Sequence, residues 1–127
     1  MSRDEDPPAL HELESLVMEE VWCQDQATVR EVLTALNGGE KVRAYTTVMT
    51  IMTRLDAKGL LTRERRGKTD VYKPVMTREQ YLSARAESEV QALVSEFGDL
   101  ALAQFAEQVG KLDTKRLDAL RELAARE

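Results

Sequence analysis

The sequence predicts a mainly α fold with one small β-hairpin, ordered as a winged helix-turn-helix DNA-binding domain followed by a three-helix C-terminal dimerisation region. Three observations carry that expectation. Apolar residues recur at helical spacing through most of the 127 residues, two β-capable runs flank a turn at Arg66-Gly67-Lys68-Thr69, and a helix, turn and helix stand directly before that pair. The corresponding division is a flexible lead over residues 1–9, a winged-helix domain over 10–76 and a helical dimerisation domain over 77–127.

Taken in order, the acidic start ending in Pro7-Pro8 reads as a loose, solvated lead. Leu10 to Trp22 then sets Leu13, Leu16, Val17 and Val21 on one helical face, with Glu12 and Glu14 near the positive end of the dipole and Trp22 closing the end against the core. Thr28-Val-Arg-Glu31 is a capping box, in which hydroxyl and carboxylate each satisfy an orphan amide of the helix start. A second helix follows with Val29, Val32, Leu33 and Leu36 inward. It is expected to stop at Asn37-Gly38-Gly39 through a left-handed glycine.

The third helix, from Tyr45 to about Gly59, has two unlike faces. Val48, Ile51, Met52 and Leu55 make an apolar stripe, whereas the opposite arc collects Arg43, Thr46, Thr47, Thr50, Thr53 and Arg54 and carries no acid. Threonine is β-branched and costs about a few tenths of a kcal/mol per exposed helical position relative to better helix formers. A row of hydroxyls and cations suits a partner with hydrogen-bonding edges and negative charge, which a DNA major groove supplies. Lys58-Gly59-Leu60 reads as the C-cap.

Residues Leu61–Pro74 then form the hairpin, limited by Pro74, with Arg63, Arg65, Arg66 and Lys68 crowded at its tip as a wing for a phosphate backbone. Thr77-Arg-Glu-Gln80 opens a long helix, Gly98-Asp99 interrupts it, a short apolar helix runs to Val109, and after Gly110 a last helix is capped by Asp113. Three thin amphipathic helices have too little depth for a core of their own. Tyr81, Val90, Leu93, Val94, Phe97, Leu100, Leu102, Phe105, Val109, Leu117, Leu120 and Leu123 are therefore expected to pack against a second chain as a homodimer.

Charge distribution points the same way. The net charge is −5, yet residues 27–78 hold 11 Lys and Arg against 5 Asp and Glu, leaving −11 for the rest. One phosphate-facing side and one protein-facing side would produce that asymmetry. The single Cys23 and single His11 provide no disulfide and no metal set, so no cofactor is expected. No run of about 18 apolar residues and no basic-then-apolar leader occurs, so no membrane association and a cytoplasmic location are expected. No nucleophile–base pair or phosphate-cradling loop marks an enzyme. An alternative of another class is a winged-helix protein–protein interaction module using the same basic face.

Leu10-x-x-Leu13-Glu14-x-x-Val17-Met18-x-x-x-Trp22, then Tyr45-Thr46-Thr47-Val48 running into Thr53-Arg54-Leu55 and Lys58-Gly59-Leu60, resemble the penicillinase-repressor family of winged-helix transcriptional regulators (BlaI/MecI type). The resemblance spans nearly the whole chain. It implies a homodimeric repressor of antibiotic-response genes of the β-lactamase type, seated on a palindromic operator, with the third helix in the major groove. The DNA-binding set would be Arg43, Tyr45, Thr46, Thr47, Thr50, Arg54, Arg63, Arg65, Arg66 and Lys68. It also implies release of the DNA when a regulatory protease cuts the C-terminal region before a phenylalanine that follows asparagine. The nearest match is Gln104-Phe105, with glutamine in the asparagine position. A related copper-responsive branch ends in a cysteine-rich tail; this chain ends in Ala124-Ala-Arg-Glu127, so copper sensing is not expected.

Overall fold

A computed structural model describes residues 7–39 and 41–126. Most of the 1–9 lead and Glu40 of the basic stretch lie outside the described residues. Six helices and one hairpin are present among those described: α1 (Glu12–Gln24), α2 (Val29–Leu36), α3 (Tyr45–Ala57), β1 (Leu61–Arg66), β2 (Thr69–Pro74), α4 (Arg78–Phe97), α5 (Asp99–Gly110) and α6 (Thr114–Ala125). Two compact units divide between Ala86 and Glu87, inside α4.

The first unit is built on one core. Val17, Met18 and Val21 of α1, Val32 of α2, Val48, Met52 and Leu55 of α3, and Leu60, Leu61 and Tyr72 around the hairpin are all buried together. The inward face of α1 differs from expectation. Leu16 is exposed, and the buried set is Glu14, Val17, Met18 and Val21, spaced i, i+3, i+4 and i+7. A glutamate therefore occupies the position that apolar patterning would have given to leucine. Its oxygens are fully engaged: Oε1 accepts from the His11 amide at 3.0 Å and from Lys58 Nζ at 2.9 Å, and Oε2 accepts from the same ammonium at 2.7 Å.

Local chemistry sets the element ends. Thr28 and Glu31 close the expected capping box at 2.9 and 3.1 Å, and Thr77 with Gln80 closes another at 2.9 and 3.0 Å. At the end of α2 the left-handed glycine does not occur: neither Gly38 nor Gly39 has positive φ. Asn37 terminates the helix instead, because its carboxamide is committed to Arg43, donating to that carbonyl at 3.0 Å and accepting from that amide at 2.7 Å. The end of α3 follows the glycine rule. Gly59 has φ +83°, its amide donates to Asp56 at 3.0 Å, and Leu60 donates to Leu55 at 3.0 Å, which are the two bonds of a Schellman cap.

The hairpin pairs antiparallel from Leu61↔Pro74 to Arg66↔Thr69. Only Gly67 and Lys68 remain in the turn, and Gly67 takes φ +62°, the positive first position of a type II′ loop. A third extended segment was not legible in the sequence: Ala27 exchanges both backbone bonds with Tyr72, at 2.9 and 2.8 Å, and so docks the hairpin base on the α1–α2 connection.

Trp22 donates through Nε1 to the Met76 carbonyl at 3.0 Å and lies 5.5 Å from the Tyr81 ring. Tyr81, near the start of α4, is buried, and its hydroxyl donates to the Pro8 carbonyl at 2.7 Å. The described part of the lead is thus tied to α4. Cys23 is exposed next to the end of α1.

The second unit has a different character. Of its described residues only Ala101 is buried, while Val90, Leu93, Phe97, Leu100, Leu102, Phe105, Val109, Leu120 and Leu123 are exposed. Val94 and Leu117 are half-buried. Asp113 caps α6 as expected, accepting from the Arg116 amide at 2.8 Å.

Burial pushes the Glu14 carboxyl up, but the bonds and charge of Lys58 and the His11 amide outweigh it and hold the group below the ordinary carboxylate range. A depressed folded-state pKa stabilises the fold above the unfolded-state pKa, and that contribution disappears as pH falls through the folded one. Lys58→Met leaves the buried carboxylate unpaired and should cost about 3 kcal/mol near neutrality. Urea titrations of both proteins at neutral and acid pH check this: the gap should narrow in acid as Glu14 is protonated, and a gap independent of pH refutes the role.

Candidate nucleic-acid interface

The burial of Val48, Ile51, Met52 and Leu55 turns the opposite side of α3 to solvent, and Thr46, Thr47, Thr50, Thr53 and Arg54 are all exposed. The first turn of this helix lacks a capping side chain, since its N-cap is Ala44, and holds no acid. Its leading amides therefore have no side-chain acceptor, which leaves the positive end of the helix open to an external oxygen. Arg43 is not part of the helix. It lies one residue before the cap, where the Asn37 carboxamide clamps its backbone from both sides.

Tyr45, at the first helical position, is exposed, and the Arg30 guanidinium sits 5.0 Å above its ring centroid. Arg30 belongs to the second position of α2, so the two helices of the helix-turn-helix present a stacked cation and ring on one surface. Patterning did not single out Arg30. Its sequence signals are its place in the capping box, which turns it outward at the helix start, and its membership of the basic stretch 27–78. Met49 is a second addition to this surface, half exposed one turn beyond Tyr45 on α3.

The hairpin cations are not free arms. Arg65 Nη1 lies 3.4 Å from Asp70 Oδ1, and its Nε donates to the Gly67 carbonyl at 3.3 Å. Arg66 pairs with Glu64 at 3.5 Å and also donates to Gln26 at 3.4 Å. Lys73 meets the same Glu64 at 3.3 Å. Arg66 and Lys73 together hold the Glu64 carboxyl below its ordinary range. Arg63 lies 3.9 Å from Asp56, and its neighbours Tyr72, Asp70 and Asp56, Tyr72 foremost, raise its already high pKa. Exposed pairs of this kind add little stability, because water and salt screen them. Their effect is positional: Asp56, Glu64 and Asp70 hold the hairpin cations in place along the two strands.

Between the start of α2, the outer face of α3 and the hairpin lies a cleft of about 420 Å³, lined by Arg30, Tyr45, Thr53, Arg63, Arg65 and Lys68 among others. One edge of the α3 face, at Tyr45, Met49 and Thr53, thus meets the hairpin, whereas Arg43, Thr46, Thr47, Thr50, Arg54 and Arg66 lie outside the lining of the cleft. Of the residues expected in the dimerisation set, Tyr81 belongs to the core of the first unit and the remainder lie on exposed or half-buried faces of α4, α5 and α6. Gln104 and Phe105 lie inside α5.

The sequence profile of a family described as penicillinase repressor matches residues 10–126. Two relatives, both named transcriptional regulator BlaI and coming from two strains of Mycobacterium tuberculosis, are 36% identical over 118 residues, covering 91% of this chain and 83% of theirs. Among solved structures, the DNA binding domain of the repressor BlaI superposes with a TM-score of 0.52 at 27% identity, covering 59% of this chain and 90% of that one. The Bacillus licheniformis BlaI monomeric form, solved in complex with the blaP half-operator, gives a TM-score of 0.50 at 27% identity with the same coverage.

The clamp on Arg43 is open to test. Asn37→Ala removes two hydrogen bonds and should cost about 1 kcal/mol while accelerating amide exchange at Arg43 by roughly tenfold. Exchange at Arg43 that stays as slow as in the parent protein refutes the clamp.

Proposed function

The chain belongs to the penicillinase-repressor family, and from that premise we propose that it is a DNA-binding transcriptional repressor acting as a homodimer on a palindromic operator. It is a regulator and not an enzyme. The observation that carries the DNA reading is the α3 face: four exposed threonines and Arg54, without an acid, bordered at its Thr53 edge by the cation-rich hairpin. Threonine hydroxyls exchange hydrogen bonds with base edges, and their methyls pack against the thymine methyl. In this reading Thr46, Thr47 and Thr50 read sequence. Tyr45, Arg43 and Arg54 flank them, and Arg63, Arg65, Arg66 and Lys68 supply affinity that does not depend on sequence.

Exposed apolar side chains on α4, α5 and α6 support pairing of two chains through the second unit, since a unit of this size with only Ala101 buried among its described residues gains little from folding alone. We assign the controlled genes to the antibiotic-response, β-lactamase type. Induction is assigned to proteolysis at Gln104-Phe105. Because that bond lies within α5, the helix must unwind locally before a protease can hold it extended.

Selection of bound duplexes from a random pool, followed by titration of the winner against its scrambled copy, tests the reading. A palindromic winner should bind about a thousandfold more tightly than the scramble. Replacing Thr46 and Thr50 together with alanine should reduce the preference by at least about tenfold while sparing affinity for the scramble; a parallel loss on both duplexes refutes their role as base readers. Ending the chain after Gly98 should convert a dimer to a monomer in sedimentation and weaken binding to the two-half-site duplex. A shortened chain that still sediments as a dimer overturns pairing through the second unit.

A further inference from the structure

We infer that the cleft between the start of α2, Tyr45 and the hairpin seats a phosphodiester of the DNA backbone, and that Arg30, stacked on Tyr45, is the positioning cation of that seat. The inference rests on the DNA reading and assigns a role to a residue outside its contact set. Four cations line the cleft, Arg30, Arg63, Arg65 and Lys68, against one carboxylate, Asp70. Asp70 is already engaged with Arg65 at 3.4 Å. The three hairpin arginines each have an acid neighbour, whereas among the described residues no carboxylate pairs with Arg30. Its guanidinium has a flat aromatic support 5.0 Å away and, among the described residues, no anion to satisfy its donors. A guanidinium ordered on a ring is suited to bidentate contact with phosphate oxygens.

The position is also right for a register mark. Tyr45 begins α3, so a phosphate held by Arg30 sits beside the leading turn whose amides lack a capping side chain. Thr28, the hydroxyl at the N-cap of α2, faces the same cleft. A strand anchored there fixes how far the α3 threonines reach along the groove, without itself reading a base.

The test uses the full chain, the duplex winning the selection and its scrambled copy, each titrated over a range of salt. Arg30→Ala should lower affinity for both duplexes by the same factor, about tenfold, and make the slope of log affinity against log salt shallower by about 0.9 per chain bound. Arg30→Lys should restore the slope but only part of the affinity, since a lysine keeps the charge and loses the planar fork. Unchanged binding by Arg30→Ala overturns the seat, as does a loss confined to the selected duplex, or an equal loss on both with the slope unchanged. A parent chain that binds the two duplexes alike overturns the sequence-specific reading, while the salt slope still decides the seat; a parent chain that binds neither overturns both.

Discussion

The bond between Glu14 and Lys58 is the constraint on which the geometry of the first unit depends. Glu14 stands in the first turn of α1 and Lys58 is the C-cap of α3, 44 positions later, so one carboxylate joins the start of the first helix to the end of the third. The same carboxylate accepts the His11 amide and so closes the start of α1. A charge removed from water is tolerated only when its lone pairs are occupied, and here both oxygens are. The pairing also restricts how α3 can lie on α1. An apolar interface alone would permit small rotations of α3; an ion pair at its end, with a carboxylate that must stay satisfied, does not permit them freely.

Orientation matters because α3 is amphipathic in an unusual sense. Its inner stripe packs against α1 and α2, and its outer face carries no acid and is made mainly of short hydroxyls and cations, with Tyr45 and Met49 along one edge. Such a face contributes little to folding and is informative to a partner only if it is presented at a fixed angle. Three devices fix it: the Glu14 pair and the Gly59 cap at one end, and the Asn37 clamp on Arg43 just before the other. The hairpin is fixed in turn by its two bonds with Ala27, which tie its base to the α1–α2 connection.

The two units solve different physical problems. The first spends its apolar residues inward and presents cations outward, while the second leaves its apolar residues on the surface of three helices. Charge is divided along the chain differently, with +6 over residues 27–78 against −7 over residues 1–26 and −4 over residues 79–127. A chain with repulsion from DNA in one part and attraction in another has a built-in preference for how it approaches a polyanion, effective over about a Debye length of 10 Å at 0.1 M salt.

Element type and order were legible in the sequence because each rested on local chemistry: helical spacing, the boxes at Thr28 and Thr77, the Asp113 cap, Gly59 and the two-residue turn at Gly67. Family resemblance was legible for the same reason, since its motifs are short runs at fixed spacing. The candidate site was legible in part, as the α3 threonines and the hairpin cations lie within two continuous stretches. What spacing could not reveal were contacts between distant positions. Helical periodicity treats Glu14 as a surface residue near a dipole, and only its meeting with Lys58 makes burial acceptable. The end of α2 looked like a glycine stop until Asn37 found Arg43; Tyr81 looked like part of an apolar face until Trp22 and Pro8 enclosed it. Arg30 gained a place beside Tyr45 only when the two helices of the motif were packed. The sequence by itself determined which elements form and where they stop, because those choices are settled within a few residues; the tertiary structure alone decided which polar groups are buried and which cations share a surface, because those choices depend on partners far apart in the chain.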